Sequence, residues 1–169
     1  GSYVHVTPAF VYPLTAYIDS DKRARKFFAD PGLAAFIASR KTYAEEADFS
    51  CYPQDYREEI PELLGRFDLL ISQYAGFVSQ HGKRYLRPGG YLLVNNSHGD
   101  ASMAAIDEDF QLVAVVKGKN GEYRLTEKDL ASYMVPKKPV EITRDLLEEC
   151  QRGIGYTKAA SMYVFRLSD

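Results

Sequence analysis

At 169 residues, 46% hydrophobic and 26% charged, with a formal net charge of −2, the chain has the make-up of one soluble globular domain. That length lets it bury about two thirds of the surface its unfolded form exposes; the balance argues against a disordered polyelectrolyte and a membrane span, and charge alone implies no polyanion partner. Two cysteines, Cys51 and Cys150, cannot build a disulfide framework, and no basic, apolar and small-residue leader opens the chain, so a cytoplasmic protein is expected.

Gly1-Ser2, without an initiator Met, looks like the scar of a removed tag, and the native chain is expected to begin earlier. Thr7-Pro8 and Tyr12-Pro13 rule out a long strand over residues 3–18 and leave a short one at Leu14 to Ile18. Ser20 or Asp21 caps a helix beginning at Lys22, amphipathic through Arg23, Phe27 and Phe28. Asp30-Pro31-Gly32 interrupts it before a second helix from Leu33 to about Tyr43. Phe49 to Tyr52 is a short strand, Pro53-Gln54-Asp55-Tyr56 a loop, and Glu58 to Leu64 a weak helix.

Phe67 to Gln73 reads as a buried strand, an apolar run of strand length after the breaker Gly65. Ala75 to Leu86 reads as a crossover helix, Arg87-Pro88-Gly89-Gly90 as the turn that ends it, and Tyr91 to Val94 as a second continuous apolar strand. Two buried strands joined through a helix form a parallel βαβ unit, whose ligands sit beyond the C-terminal strand ends, here near Ser72, Gln73 and Asn95 to Asp100. Ser97 to Ile106 is a turn or short helix, and Phe110 to Lys117 pairs with Glu122 to Leu125 around Lys119-Asn120-Gly121. Thr126 to Asp129 starts a brief helix, Val135 to Val140 is a loop, Thr143 caps a helix running to Cys150, and Gly153-Ile154-Gly155 stops it. Met162 to Leu167 is the last strand.

This order predicts a single α/β domain over residues 1–169: a three-layer sandwich with a mainly parallel sheet and an antiparallel edge. Residues 126–158 are longer than a hairpin needs and read as an insertion before the last strand, a lid, an acceptor-recognition segment or a partner surface.

Four stretches, in order, resemble a class I S-adenosylmethionine-dependent methyltransferase of the Rossmann-like kind. Ala16-Tyr17-Ile18-Asp19-Ser20-Asp21 resembles the family's second strand and Pro53-Gln54-Asp55 the loop after its third. Phe67-Asp68-Leu69-Leu70-Ile71-Ser72 resembles its fourth strand, and Tyr85-Leu86-Arg87-Pro88-Gly89-Gly90-Tyr91-Leu92-Leu93-Val94 the helix, turn and fifth strand. Phe110 to Lys117 and Met162 to Leu167 fit its final antiparallel pair. The resemblance implies a cofactor, S-adenosylmethionine, held by Asp19 at the ribose, Asp55 at the adenine amine, and Ser72 and Gln73 at the fourth-strand exit. It also implies that Asp19 shares a rim with Ser72 and Asn95. A strand-end carboxylate can accept two hydrogen bonds from a vicinal diol; Asp19 can equally serve, with Asp21, to cap the following helix, and Asp55 can be a solvated turn residue.

The family's first strand and glycine-rich loop have no counterpart, since Gly1 is the only glycine ahead of Asp19. An N-terminally truncated domain or a degenerate relative is therefore expected, either of which binds the cofactor poorly. Gly153-Ile154-Gly155, following a helix, reads as its stop and not as that loop.

His98 could act as a general base with Asp100 orienting it, or Asn95 to Asp100 could be an Asx-rich turn. Ser72-Gln73-Tyr74-Ala75 is not the Asn-Pro-Pro-Tyr pattern of exocyclic-amine methylation, and Tyr74 and Phe77 either flank an acceptor or belong to the core. Lys22, Arg23, Arg25 and Lys26 read as a solvated helix face, which leaves no strong nucleic-acid signal. The partners expected are a small or unknown methyl acceptor and no membrane. A rival reading is an inactive scaffold that binds a partner, as a homodimer or as a module of a larger chain.

Overall fold

The computed structural model describes residues 6–169, which form two compact units, one ending at Glu58 and one spanning Glu59–Asp169. Tyr3 and His5, at the start of the predicted Pro-interrupted segment, lie outside the described residues.

In the first unit Leu14–Ile18 (β1) lies parallel to Asp48–Tyr52 (β2), Leu14 beside Asp48 and Ile18 beside Tyr52. Pro8 opens a 3-10 turn over Thr7–Phe10, and the Tyr17 hydroxyl ties it to β1 by accepting the Ala9 N–H at 3.1 Å. Lys22–Phe28 (α1) starts where Asp21 accepts the Arg23 N–H at 2.7 Å, a side-chain cap for an orphan donor. Leu33–Ala38 (α2) is shorter than expected. The chain leaves the helix because the Lys41 ammonium gathers the carbonyls of Tyr43, Ala44 and Glu45, while the Tyr43 hydroxyl donates to Ala9 O at 2.8 Å. Val6, Ala9, Leu33 and Ile37 form this unit's core.

The second unit is built on five strands in the order β3-β4-β7-β5-β6: Phe67–Ser72 (β3), Leu86–Val94 (β4), Phe110–Lys119 (β5), Glu122–Thr126 (β6) and Met162–Leu167 (β7). β3 and β4 are parallel, as the βαβ pattern predicts, but every other pairing in this sheet is antiparallel. The expected single, mainly parallel sheet is therefore corrected: β1 and β2 form a sheet of their own, and the larger sheet is mixed. The physical reason lies in the connections. Asn120 and Gly121, with φ of 55° and 89°, supply the left-handed pair of a tight hairpin that reverses β5 into β6. β7 then returns antiparallel between β4 and β5.

The crossover is also shorter than predicted, with a helix only over Val78–Gly82 (α3) and a 3-10 turn over Lys83–Tyr85. α3 lies close against β3, where a Cβ on Gly82 would stand 2.7 Å from Leu70 Cδ2. Arg87-Pro88-Gly89-Gly90 is not a separate turn; it lies within β4 as an irregularity of the strand, where the ladder jumps from Phe67–Leu86 to Leu69–Tyr91. Gly89 has φ of 74°, a conformation that costs glycine little.

Register sorts the sheet's side chains by face. Leu92, Val94, Val115, Tyr163 and Phe165 share one face and are buried under Ala101 and Ala104 of Asp100–Ala105 (α4), with Tyr133 and Tyr156. Arg144–Cys150 (α5) adds Leu147 to a neighbouring cluster with Phe77 and Met103. Tyr91 and Leu93, alternating with those core residues, keep exposure on the other face. The second unit is thus an α/β pair of layers with its helices against one face, and the predicted third layer is not formed in it.

Lys83, at the end of α3, bridges Asp107 at 2.8 Å and Asp109, and the Gln80 amide adds a bond to Asp107 at 3.2 Å. Burial works to raise the Asp107 carboxyl, but the hydrogen bonds from Lys83 and from the Asp109 backbone outweigh it and hold the group below its ordinary value. A carboxyl depressed in this way adds stability above its unfolded pKa, which is lost as pH falls through the folded one. Asp107→Asn is expected to cost about 1 kcal/mol at neutral pH and to flatten the acid limb below about pH 4, as read by urea melts between about pH 3 and 7.

Candidate functional site

β3 and β4 end side by side, with the Asn95 N–H donating to Ser72 O at 3.3 Å. Asp100, in the first turn of α4, is 1% exposed. Its Oδ2 accepts the Ser72 hydroxyl at 2.7 Å and its Oδ1 accepts the Ser79 N–H, at the start of α3, at 3.0 Å. One carboxyl group therefore joins a strand end and two helix starts. Burial pushes the Asp100 carboxyl above its usual range, while the bonds from Ser79 and Ser72 pull the other way.

A second polar network lies on the same rim. Asn95 Oδ1 accepts the Tyr74 N–H at 3.3 Å, the Ser97 N–H at 3.4 Å and the Ser97 hydroxyl at 2.9 Å. Two backbone donors fix that atom as oxygen, so Asn95 Nδ2 is the donor that meets Gln73 Oε1 at 3.3 Å. Gln73 Nε2, the other end of that amide, is buried and donates to nothing among the described residues. The single Ser97 hydroxyl proton goes to Asn95, so the 3.0 Å contact of Ser97 Oγ with His98 Nδ1 is made by an Nδ1–H donor. His98 Nε2 then carries the bare lone pair, on an exposed ring. Tyr74, at φ of 55° and 60% exposed, sits in a backbone region that costs an aromatic residue strain.

The insertion of residues 126–158 docks here. Asn96 Oδ1 accepts the Ser102 N–H and hydroxyl, each at 3.1 Å, and Asn96 Nδ2 donates to Ile154 O at 3.1 Å. The Ser102 proton being used on Asn96, the Tyr156 hydroxyl is the donor in its 2.7 Å bond to Ser102 Oγ. Gly153 makes this approach possible, since a Cβ there would lie 1.7 Å from Asn96 O. Gly153-Ile154-Gly155 is thus a docking strap as well as a helix stop. Burial raises the Tyr156 hydroxyl, and pushes neighbouring Tyr163 up to about 12 with help from the Tyr156 charge.

The structure brings Ser72, Gln73, His98 and Asp100 to this rim, but no hydrogen bond joins His98 to Asp100 among the described residues. Both oxygens of Asp100 serve Ser72 and Ser79, and Ser97 holds the imidazole. In the first unit Asp19 follows β1, with its N–H donating to Tyr52 O at 3.2 Å and its Oδ1 accepting the Asp21 N–H at 2.8 Å. Asp55 forms a fork with Arg57 through both carboxylate oxygens, at 2.9 and 2.6 Å. Burial and the nearby Asp19 charge raise the Cys51 thiol, keeping it protonated.

Sequence reasoning missed Asn96, Ser102 and Tyr156 as a unit, and Ser79 as a partner of Asp100. Ser102 and Tyr156 stand far apart in the chain, and no local pattern links them. A shallow depression of about 650 Å³ lies elsewhere on the second unit, among Lys83, Arg84, Leu86, Pro88 and Asp109, but Lys83 and Arg84 are already paired with acids there. Among the described residues no group of three His, Cys, Asp or Glu side chains is arranged to hold a metal ion, and no helix is long and apolar enough to cross a membrane.

No family model matches the chain, and no curated protein matches its sequence. Among solved structures, a Bordetella parapertussis protein named as a possible exported protein aligns with 92% of this chain at 17% identity and a TM-score of 0.41. The alignment covers 54% of that protein, so the chain spans about half its length. A Listeria monocytogenes protein named as a candidate S-adenosylmethionine-dependent methyltransferase aligns over 93% of this chain and 81% of its own, at 12% identity and a TM-score of 0.38. Similarity this low carries no function across.

Two substitutions test the rim. Asp100→Ala leaves two buried donors unpaired and is expected to cost about 2–3 kcal/mol. Asp100→Asn keeps the shape without the charge. A carboxyl raised by burial contributes stability below its unfolded pKa and loses it as pH rises through the folded one. In denaturant melts the Asn variant should therefore gain on the parent protein from about pH 4 to pH 7. Gly153→Ala is expected to cost about 2 kcal/mol or more, with faster amide exchange in residues 153–157, because the strap must lift from Asn96.

Proposed function

We propose that the chain is a methyltransferase-like domain that takes S-adenosylmethionine and receives its acceptor at the C-terminal rim of β3 and β4. The observation that carries this reading is the polar rim beyond the parallel pair, where an α/β unit holds its ligand. Among the described residues that rim has two buried side-chain groups without a partner, Gln73 Nε2 and Ser79 Oγ, and one imidazole with a bare Nε2. A buried unpaired donor costs about 1–3 kcal/mol, which a ligand acceptor would offset.

Asp19 fits the nucleoside role in part. Its Oδ1 is used by Asp21, and its Oδ2 accepts no hydrogen bond among the described residues, so one acceptor remains for a ribose hydroxyl. Asp55, forked with Arg57, does not fit an adenine-amine role in this arrangement. When bound, the cofactor supplies an electrophilic methyl group. The chain's own residues orient and hold: Gln73 Nε2 donates to an acceptor group, His98 Nε2 takes a proton from an O–H or N–H, and Asp100 keeps Ser72 and the start of α3 in place.

A second reading, an inactive scaffold, is favoured by the Asp55–Arg57 fork, which engages both oxygens of that carboxylate. Thermal shift and calorimetry with S-adenosylhomocysteine separate the two. At about ten times the dissociation constant the ligand stabilises by about 1.4 kcal/mol, a rise of roughly 3 °C, which Asp19→Ala is expected to abolish. No rise and no heat at about 1 mM ligand would leave the scaffold standing.

A further inference from the structure

The five-stranded sheet has an apolar face that its own helices leave open. Leu69 lies beside Tyr91 and Ile71 beside Leu93 on β3 and β4. The ladder carries the same face across Val164 and Met162 of β7 to Leu125 and Tyr123 of β6. None of these residues belongs to the buried clusters, and four stay open, Ile71 at 38% exposed, Tyr91 at 44%, Tyr123 at 54% and Leu125 at 59%, while Ala114 of β5 on the same face is buried. Arg166, the one charge among the paired residues of this face on β4 and β7, is ion-paired with Asp169 at 2.8 Å. β3 and β4 are parallel, and parallel strands are ordinarily covered on both faces.

We infer that a second copy of this chain packs on this open sheet face, making a dimer whose two sheets lie face to face. Two properties favour that occupant. The face carries almost no charge, so pairing it with itself desolvates no unpaired ion and sets no like charges against each other. Its extent also suffices. Five strands about 4.8 Å apart, four of them showing two apolar side chains and β5 showing Val116 beside the buried Ala114, give a footprint of roughly 300 Å². Burying it on both copies removes roughly 1,000 Å² once side-chain relief is counted, the lower bound of a specific interface. An interface of that size makes a weak dimer whose population depends on concentration. The inference uses no residue of the polar rim and stands apart from the methyltransferase reading.

Sedimentation velocity from about 1 to about 100 µM tests it. The expected result is a monomer–dimer equilibrium in which Ile71→Lys and Leu125→Lys each raise the dissociation constant at least about tenfold. Both sites are exposed, so near-ultraviolet circular dichroism of both variants should match the parent and exclude misfolding. Glu149→Lys, on α5 in the opposite layer, should leave the equilibrium unchanged. A monomer at every concentration would mean that something other than a second copy covers the face, and would overturn the inference. So would a dimer indifferent to both face substitutions, or open-ended aggregation without a dimer.

Discussion

The second unit depends on one buried carboxyl group. Asp100 is removed from water, which by itself is costly, and the cost is offset because each oxygen meets a donor that would otherwise be stranded. Those donors come from the end of β3 and the start of α3, and the carboxyl comes from the start of α4. Three element ends are thereby held at one point. Remove that point and the rim of Ser72, Gln73, Asn95 and His98 has no fixed floor. Two short helices of five and six residues could not hold such positions by propensity, since helices of that length are marginal alone.

Around that floor the polar groups divide into those that are spent and those that are available. Asn95 and Asn96 are spent: each side chain bonds on both of its ends, one to Tyr74, Ser97 and Gln73, the other to Ser102 and Ile154. Gln73 Nε2, buried, and His98 Nε2, on an exposed ring, are left without a partner among the described residues, because the neighbours that orient them use up their opposite ends. The strap at Gly153–Tyr156 closes the other side through backbone contact, which no residue with a Cβ at position 153 would allow. Rigid, satisfied surroundings with a few open polar atoms are what a ligand site needs for pre-organisation. The proposed acceptor site rests on that contrast and not on the likeness to any solved structure.

The sheet makes the opposite statement on its far side. A continuous apolar run such as Tyr91 to Val94 normally signals a strand covered twice, yet the helices of this unit cover Leu92 and Val94 and leave Tyr91 exposed. Alternating burial in a strand of uniform composition means that half of its apolar side chains look for a partner outside the layers described. An apolar face of that size invites association.

The sequence alone determined the local elements. β1 begins and ends where the Pro13 and Asp19 boundaries put it, Asp21 and Thr143 cap the helices that follow them, and Asn120-Gly121 turns the hairpin. These follow from backbone restrictions and side-chain caps that act within a few residues, so they are legible without a fold. The parallel pairing of β3 and β4 and the rim beyond them were legible for the same reason, through the βαβ pattern. Only the tertiary structure decided that Asp100 would serve Ser72 and Ser79 and not His98, that Gly153 would dock on Asn96, and that β7 would enter between β4 and β5. Each of those outcomes pairs residues distant in the chain. Burial and competition among donors select the partner there, and neither is encoded in the spacing of residues along the chain.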